Sequence, residues 1–283
     1  MNALILILIP FGMCLQQIAK KAYNRKKGGA FTFSAASAVF SLAVYFFTSG
    51  GDLQFSLAIL PYSVAFAVCF AAALIGSFLA IKHGPLSISS LIFQYSLLIP
   101  AFYGFFALGD PVKITLIVGI ALLAASLFLV NKKDKNEPKK ISFRWIVFLL
   151  IGFLGNGLCS TVQKIQQMHF AGQYKSEFMI VAMAICAVSL FGTALATERS
   201  TISVGIKKGW MWFLFCELAN GGVNYGIMLL TNRLPSSVMF PIVSAGSTVL
   251  TCLVSWLFYK ERLTKIQTVG LILGILAIVA MNL

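Results

Sequence analysis

Apolar residues gather in ten blocks along the chain, roughly 2–19, 30–49, 58–81, 86–109, 112–130, 144–163, 177–196, 210–231, 236–258 and 265–282. A helix needs about 20 predominantly apolar residues to cross the hydrocarbon core of a bilayer, and these blocks have that scale. The connectors between them are short and polar, and none is long enough to fold alone. The pattern predicts an all-α membrane protein of ten transmembrane helices. The longest charged connector, 131–143, divides it into a five-helix unit at 1–130 and a second at 144–283.

The polar positions inside the blocks are few and ordered. Glu217 is the one acid well inside an apolar run, and Asn220, Gly221 and Asn224 follow it at i+3, i+4 and i+7. On a helix these share a face. An ionisable group at membrane depth costs about 2.5–3.5 kcal/mol on insertion scales, so it is expected to face protein or a wet cavity. Helix 6 carries the stripe Asn156, Ser160, Gln163 and Gln167, bordered by Lys164. Gln16, Gln17 and either Lys20 or Lys21 make the second half of helix 1 polar. Helix 4 offers Ser87, Ser89, Ser90, Gln94 and Tyr95, and helix 9 offers Ser244, Gly246, Ser247 and Thr248. Pro10 and Pro100 are expected to disturb helices 1 and 4. In helices 2 and 3 the small residues, among them Ser37, Ala38, Gly76 and Ser77, read as close-packing positions.

Charge adds a direction. Only 11% of the 283 residues are charged, against about 25% in soluble proteins, and the formal net charge is +14. Alternate connectors carry 18 and 4 of the Lys and Arg residues. Basic loops stay cytoplasmic, so the 131–143 linker is expected inside the cell and both termini outside. This bias accounts for the net charge without nucleic acid, and no basic segment is interleaved with aromatic residues as base-stacking would need. The six cysteines all lie in apolar blocks, with no Cys-x-x-Cys and no ligand cluster, and are assigned to packing. No metal or cofactor motif is present.

The two halves repeat one another. Gly12 precedes Lys21 by nine residues and Gly155 precedes Lys164 by nine. The turn beginning His83, Gly84, Pro85 recurs 150 residues on at Arg233, Leu234, Pro235. Asp110, Pro111 and Gly119 recur as Glu261, Arg262 and Gly270, 151 residues on. Five helices per copy means that the copies cross the membrane in opposite senses. Such inverted repeats hold substrate between the halves near the midplane.

The run Phe258, Tyr259, Lys260, Glu261, Arg262, Leu263, Thr264, followed by Gly270 and Gly274, resembles the ending of each repeat in the drug/metabolite transporter superfamily, specifically its ten-helix EamA-like members. Asp110, Pro111 and Gly119 form a weaker copy, and the glycine-to-lysine spacing of helices 1 and 6 is similar to that of the family's first repeat helix. The resemblance covers nearly the whole chain. It implies export or exchange of small metabolites, amino-acid-like or amphipathic, through a central cavity. The chain departs from the family in having Phe11 before Gly12 where tryptophan is common, and in a charge bias that places both termini outside.

Three functions compete. A secondary transporter working by alternating access is supported by the repeat, the polar stripes and the absence of a nucleotide-binding loop. The substrate-binding candidates are Glu217, Asn220, Asn224, Gln94, Tyr95, Asn156, Gln163, Lys164, Gln17, Lys21 and Ser244, with Glu217 also a candidate for taking up a coupling proton. A membrane-embedded enzyme would need convergent acids, histidines or a nucleophile with its base. The other seven acids lie at loops or block ends, and His83 and His169 fall on opposite sides. A structural or accessory membrane protein, whose polar groups only join helices, is the third reading. The expected partners are a small-molecule substrate, a coupling proton and the lipid bilayer, with no nucleic acid. The expected location is the plasma membrane, of the bacterial inner-membrane kind.

Overall fold

The computed structural model describes residues 2–25, 29–51, 53–97, 99–100, 102–103, 114–130, 142–231, 236–259 and 264–281. Among the described residues the helices of nine or more residues are α1 (Asn2–Arg25), α2 (Ala30–Thr48), α3 (Leu60–His83), α4 (Leu86–Gln94), α5 (Ile114–Val130), α6 (Phe143–His169), α7 (Lys175–Thr197), α8 (Arg199–Thr231), α9 (Ser236–Tyr259) and α10 (Lys265–Met281). Each falls on one of the ten apolar blocks. Among the described residues, four helical stretches are long and apolar enough to cross a membrane, at 30–48, 57–83, 143–169 and 175–197, and shorter apolar helices lie at 246–259 and 265–277. The expected linker at 131–143, the turn at 232–235, and the Asp110 and Glu261 landmarks lie largely or wholly outside the described residues.

Two boundaries differ from the sequence reading. α4 was expected to run unbroken to 109, but the α-helix ends at Gln94 and a 3₁₀ turn follows at Tyr95–Leu97. Pro100 supplies the cause. It has no N–H to donate to the Ser96 carbonyl, and its ring crowds that carbonyl. The Ser96 hydroxyl donates instead to Phe93 O at 2.6 Å, which steadies the tightened turn. α8 starts at Arg199 rather than 210 and is 33 residues long. At 1.5 Å per residue that is about 50 Å, well beyond a hydrocarbon core of about 30 Å.

Glu198 explains the early start of α8. Its N–H donates to Ala194 O and closes α7, while its own carbonyl accepts from Thr201 N and Ile202 N and opens α8. Its carboxylate reaches a third helix. Oε1 accepts from Phe31 N at 3.1 Å, and Oε2 accepts from Thr32 N at 2.8 Å and the Thr32 hydroxyl at 2.7 Å. A helix N-terminus leaves its first N–H groups unpaired and carries partial positive charge, so a carboxylate is well matched there. Glu177 makes a similar link at the other end of the bundle, accepting from Gln54 N at 2.8 Å.

The helices pack in a reciprocal pattern. α1 lies on α8 while α6 lies on α3; α2 touches α8 while α7 touches α3; α1 touches α9 while α6 touches α4. The remaining large contacts join α2 with α7, α4 with α9 and α5 with α10. Each of these contacts maps onto another of them or onto itself when every helix is exchanged for the one five places along, whereas the α9–α10 and α1–α3 contacts have no counterpart of similar size among the described residues. The crossings agree at residue level. A Cβ on Gly12 would stand 2.6 Å from Val223 Cγ2 and 3.3 Å from Ala219 O. A Cβ on Gly155 would stand 2.5 Å from Ala73 N and 2.7 Å from Cys69 O. Cys69 and Ala73 lie 150 residues before Ala219 and Val223, the same spacing as the repeated turns in the sequence. Only glycine lets these backbones meet.

Candidate functional site

A polar cavity of about 150 Å³ lies between α1, α3, α4, α6 and α8. α1 supplies Met13, Gln16, Gln17 and Lys20, whose spacing of three, one and three residues puts them on one helical face. α3 supplies Ser77, α4 supplies Gln94, α6 supplies Asn156, and α8 supplies Glu217 and Asn220. Phe70, Phe93 and Leu74 complete the wall.

Both charged groups in this wall are buried, Lys20 at 8% and Glu217 at 3% exposure, and each takes neutral partners. Lys20 Nζ donates to the Ser77 hydroxyl at 2.9 Å. Glu217 Oε2 accepts from the Ser41 hydroxyl of α2 at 2.5 Å and from Asn220 Nδ2 at 3.1 Å. The Ser37 hydroxyl, one turn before Ser41, is turned toward the same carboxylate. It is buried and makes no bond of normal geometry among the described residues. A buried charge of one sign is costly, and opposite charges facing one small cavity offset each other.

Polar groups from both halves close the rest of the wall. Gln94 Nε2 donates to the Ser247 hydroxyl of α9 at 2.7 Å, and Asn156 Nδ2 donates to the Ser96 hydroxyl at 2.6 Å. Gln17 Oε1 is a buried acceptor without a donor among the described residues. A buried carbonyl left unpaired costs about 1–3 kcal/mol, so Gln17 favours a ligand that brings a donor into the cavity.

At the end of the bundle where α5 finishes and α6 begins, the cavity is stopped by four aromatic rings. Tyr23, Phe33, Phe78 and Phe213 come from α1, α2, α3 and α8, with centroids 4.9–5.8 Å apart. Such separations suit tilted and edge-to-face contacts. Tyr23 lies three residues beyond Lys20, Phe78 one beyond Ser77, and Phe213 four before Glu217, so the plug sits directly past the charged groups.

Five of the eleven sequence candidates meet in the cavity: Gln17, Gln94, Asn156, Glu217 and Asn220. Tyr95 lies elsewhere, its hydroxyl 3.1 Å from the Ser126 hydroxyl between α4 and α5. Gln163 and Lys164 sit two turns further along α6 from Asn156, Gln163 on an exposed face and Lys164 half-buried. Lys21 places its Nζ 4.4 Å from the ring centroid of Tyr259, a cation–π contact with α9 rather than a place in the cavity wall. Asn224 and Ser244 lie on α8 and α9, and their side chains fall outside the described set. The sequence reading missed Lys20 in favour of Lys21, because Lys21 matches Lys164 in the repeat. The helical spacing from Gln16 and Gln17 to Lys20 was the signal that distinguishes them. It also left out Ser41, whose partner on α8 no local pattern reveals.

A larger groove of about 720 Å³ lies between α1, α8 and α9, but it is lined by Ile5, Leu8, Phe11, Leu15, Val223 and similar side chains. Leu8, Phe11 and Leu15 are exposed on its rim, so it reads as a lipid-facing surface and not as the chemical site.

Comparison with known proteins agrees with this architecture. No curated protein matches the chain. A crystal structure of a protein 14% identical to it superposes with a TM-score of 0.64, covering 97% of this chain and 95% of that one, which shows a shared fold. The family model of the EamA-like transporter family matches residues 143–283, the five helices α6 to α10. Through this half the chain belongs to the EamA-like transporter family, and it is a multi-pass integral membrane protein.

Proposed function

We propose that the protein is a secondary active transporter that moves a small metabolite by alternating access, as an exporter or exchanger, with the Lys20–Glu217 cavity as its substrate site. The observation that carries this reading is the cavity itself: two buried charges of opposite sign and several amide groups converge on it from both halves of the chain. The charges suit a solute bearing an anionic group toward Lys20 and a cationic or donor group toward Glu217, as in an amino-acid-like compound. Gln17, Gln94, Asn156 and Asn220 would orient it. Lys164, Lys21 and Gln163 fit the approach to the cavity better than its wall.

The reciprocal packing and the matched crossings at Gly12 and Gly155 support two inverted five-helix repeats. The aromatic plug supports a state closed at the linker end. Positions related to Tyr23 and Phe213 by the repeat spacing are Gln166 and Ser63, so at the opposite end, where Phe66 packs on Phe70 and Phe178, two of the four rings have no aromatic counterpart. With the linker cytoplasmic, as the basic loops favour, this is a state closed to the cytoplasm in the plasma membrane.

The test is a thermal-stability screen of the purified protein against a panel of amino acids, amines, carboxylates and amphipathic compounds. A binding transporter is stabilised by its solute in a concentration-dependent way, and that solute then exchanges across proteoliposomes. Stabilisation by no compound, with no exchange, favours the reading in which the polar groups only join helices.

A further inference from the structure

The cavity does not use all the buried polarity between α1, α2 and α8. Ser34, Ser37 and Ser41 occur at i, i+3 and i+7 on α2 and lie on one face of that helix. They are 0%, 1% and 2% exposed. Ser41 bonds Glu217 directly. Among the described residues the Ser34 hydroxyl and the buried hydroxyl of Tyr23 have no hydrogen-bond partner, and the Ser37 hydroxyl is turned toward the Glu217 carboxylate without a bond of normal geometry. Serine is tolerated here as a small packing residue, but alanine at 34 and 37 would pack as well without burying two hydroxyls that lack a well-formed bond. The hydroxyls therefore call for a function that packing does not supply.

Their arrangement suggests one. The file starts at the buried acid and runs toward the linker end. Ser34 stands one turn from the N-terminus of α2, and the Glu198 carboxylate caps that terminus. Tyr23, whose hydroxyl also feels Glu198, lies on the plug side. Hydroxyls three or four residues apart on a helix have Cβ atoms about 5–6 Å apart. A water that bridges two hydroxyls through bonds of about 2.8 Å joins oxygens about 4.5–5 Å apart, a separation that hydroxyls on such Cβ atoms reach when they turn toward one another. Single waters between neighbouring hydroxyls would satisfy them and complete a file from Glu217 to Glu198, alongside a plug that four rings close to solutes.

We propose that the hydroxyl face of α2, Ser34, Ser37 and Ser41, is a proton path joining Glu217 to the linker end of the protein past the aromatic plug. Each hydroxyl and each bridging water accepts one proton from the side of Glu198 and passes one on toward Glu217. One proton thus leaves bulk water and one carboxylate is protonated, with no group oxidised or reduced. The inference rests on Glu217 lying in a working cavity: a plug that stops the solute while a hydroxyl file passes protons lets the acid exchange with the closed side. Glu217 is faced by Lys20 of α1, Tyr45 of α2 and Cys186 of α7, and Cys216 lies beside it. Among these, Lys20 is the cation whose charge a protonation of Glu217 would leave unbalanced.

The experiment is a caged-proton pH jump on the full chain in lipid nanodiscs, read by time-resolved infrared absorption of the protonated carboxyl group. Glu217→Gln identifies the band. The path predicts that Ser34→Ala with Ser37→Ala slows the appearance of that band at least tenfold, while Ser34→Thr with Ser37→Thr, which keeps both hydroxyls, leaves the rate within about twofold. An unchanged rate in the alanine pair overturns the path, because protons then reach Glu217 through the cavity. Absence of any band that depends on Glu217 overturns it too. The measurement uses no solute, so its failure leaves the stability screen for the substrate cavity untouched, and a failed screen leaves this result standing.

Discussion

Lys20 on α1 and Glu217 on α8 face the same cavity, and each is held by a neutral partner, Ser77 for the lysine and Ser41 for the acid. Two opposite buried charges therefore balance across a space instead of closing it with a salt bridge of their own. That is the arrangement a bridging ligand needs.

The first prediction follows from this balance. Removing one charge leaves the other uncompensated in a buried site, which costs about 3–5 kcal/mol where no relaxation intervenes. Lys20→Met and Glu217→Gln should each lower the unfolding temperature of the purified protein. The double variant should be more stable than the sum of the single losses by about 1 kcal/mol or more, read from a double-mutant cycle. Additive losses would mean that the two groups do not sense one another.

Gly12 and Gly155 are matched crossings, so they should respond alike. Gly12→Val and Gly155→Val would each press side-chain atoms into the facing helix, α8 or α3, at a cost of about 1–3 kcal/mol. Gly222, which has nothing within 4 Å of an added Cβ, is the control, and Gly222→Ala should leave stability unchanged or raise it by up to about 1 kcal/mol, alanine being the better helix former. Thermal unfolding of the three variants in one detergent checks this, and a loss at only one of the two crossings would argue against their equivalence.

Glu198 joins α7, α8 and the N-terminus of α2. Truncating a capping side chain costs about 0.5–2 kcal/mol. Glu198→Ala should lie in the upper part of that range, because the carboxylate accepts three bonds, and Glu198→Gln should recover a part of the loss. Hydrogen exchange at Phe31 and Thr32 is the local readout. Unchanged protection there in Glu198→Ala would contradict the cap.

Topology has its own check. A single cysteine placed at Asn136, on a background lacking the native six, should escape an impermeant thiol reagent applied to intact cells and react after lysis. Labelling of intact cells would put the linker outside.

Much of the architecture can be read from the chain because lipid is a demanding solvent. Backbone groups must pair within each segment, so ten apolar blocks become ten helices. Glu217 stands out for the same reason, as a costly residue at depth. What the sequence hides depends on the third dimension. The choice between Lys20 and Lys21 turns on a rotation of about 100° around α1, and the repeat favoured the wrong neighbour for the cavity wall. Tyr95 lies beside Gln94 in sequence yet turns into the packing of α5, because the 3₁₀ turn ahead of Pro100 redirects it. Ser41 and Ser37 look like packing residues until α8 brings Glu217 against them. Glu198 looks like a loop acid because the N–H groups it caps lie more than 160 residues away in sequence.

The central claim is that the Lys20–Glu217 cavity binds the transported solute. Its most direct test is the affinity of the stabilising compound, measured by titration calorimetry, for wild type, Lys20→Gln, Glu217→Gln and Lys21→Gln. A hydrogen bond to a charged group contributes about 1.5–3 kcal/mol, which corresponds to roughly 10- to 100-fold in affinity. The account predicts a loss of that size for Lys20→Gln and for Glu217→Gln, and less than a threefold change for Lys21→Gln. Equal affinity in wild type, Lys20→Gln and Glu217→Gln would contradict it and move the binding site elsewhere in the protein.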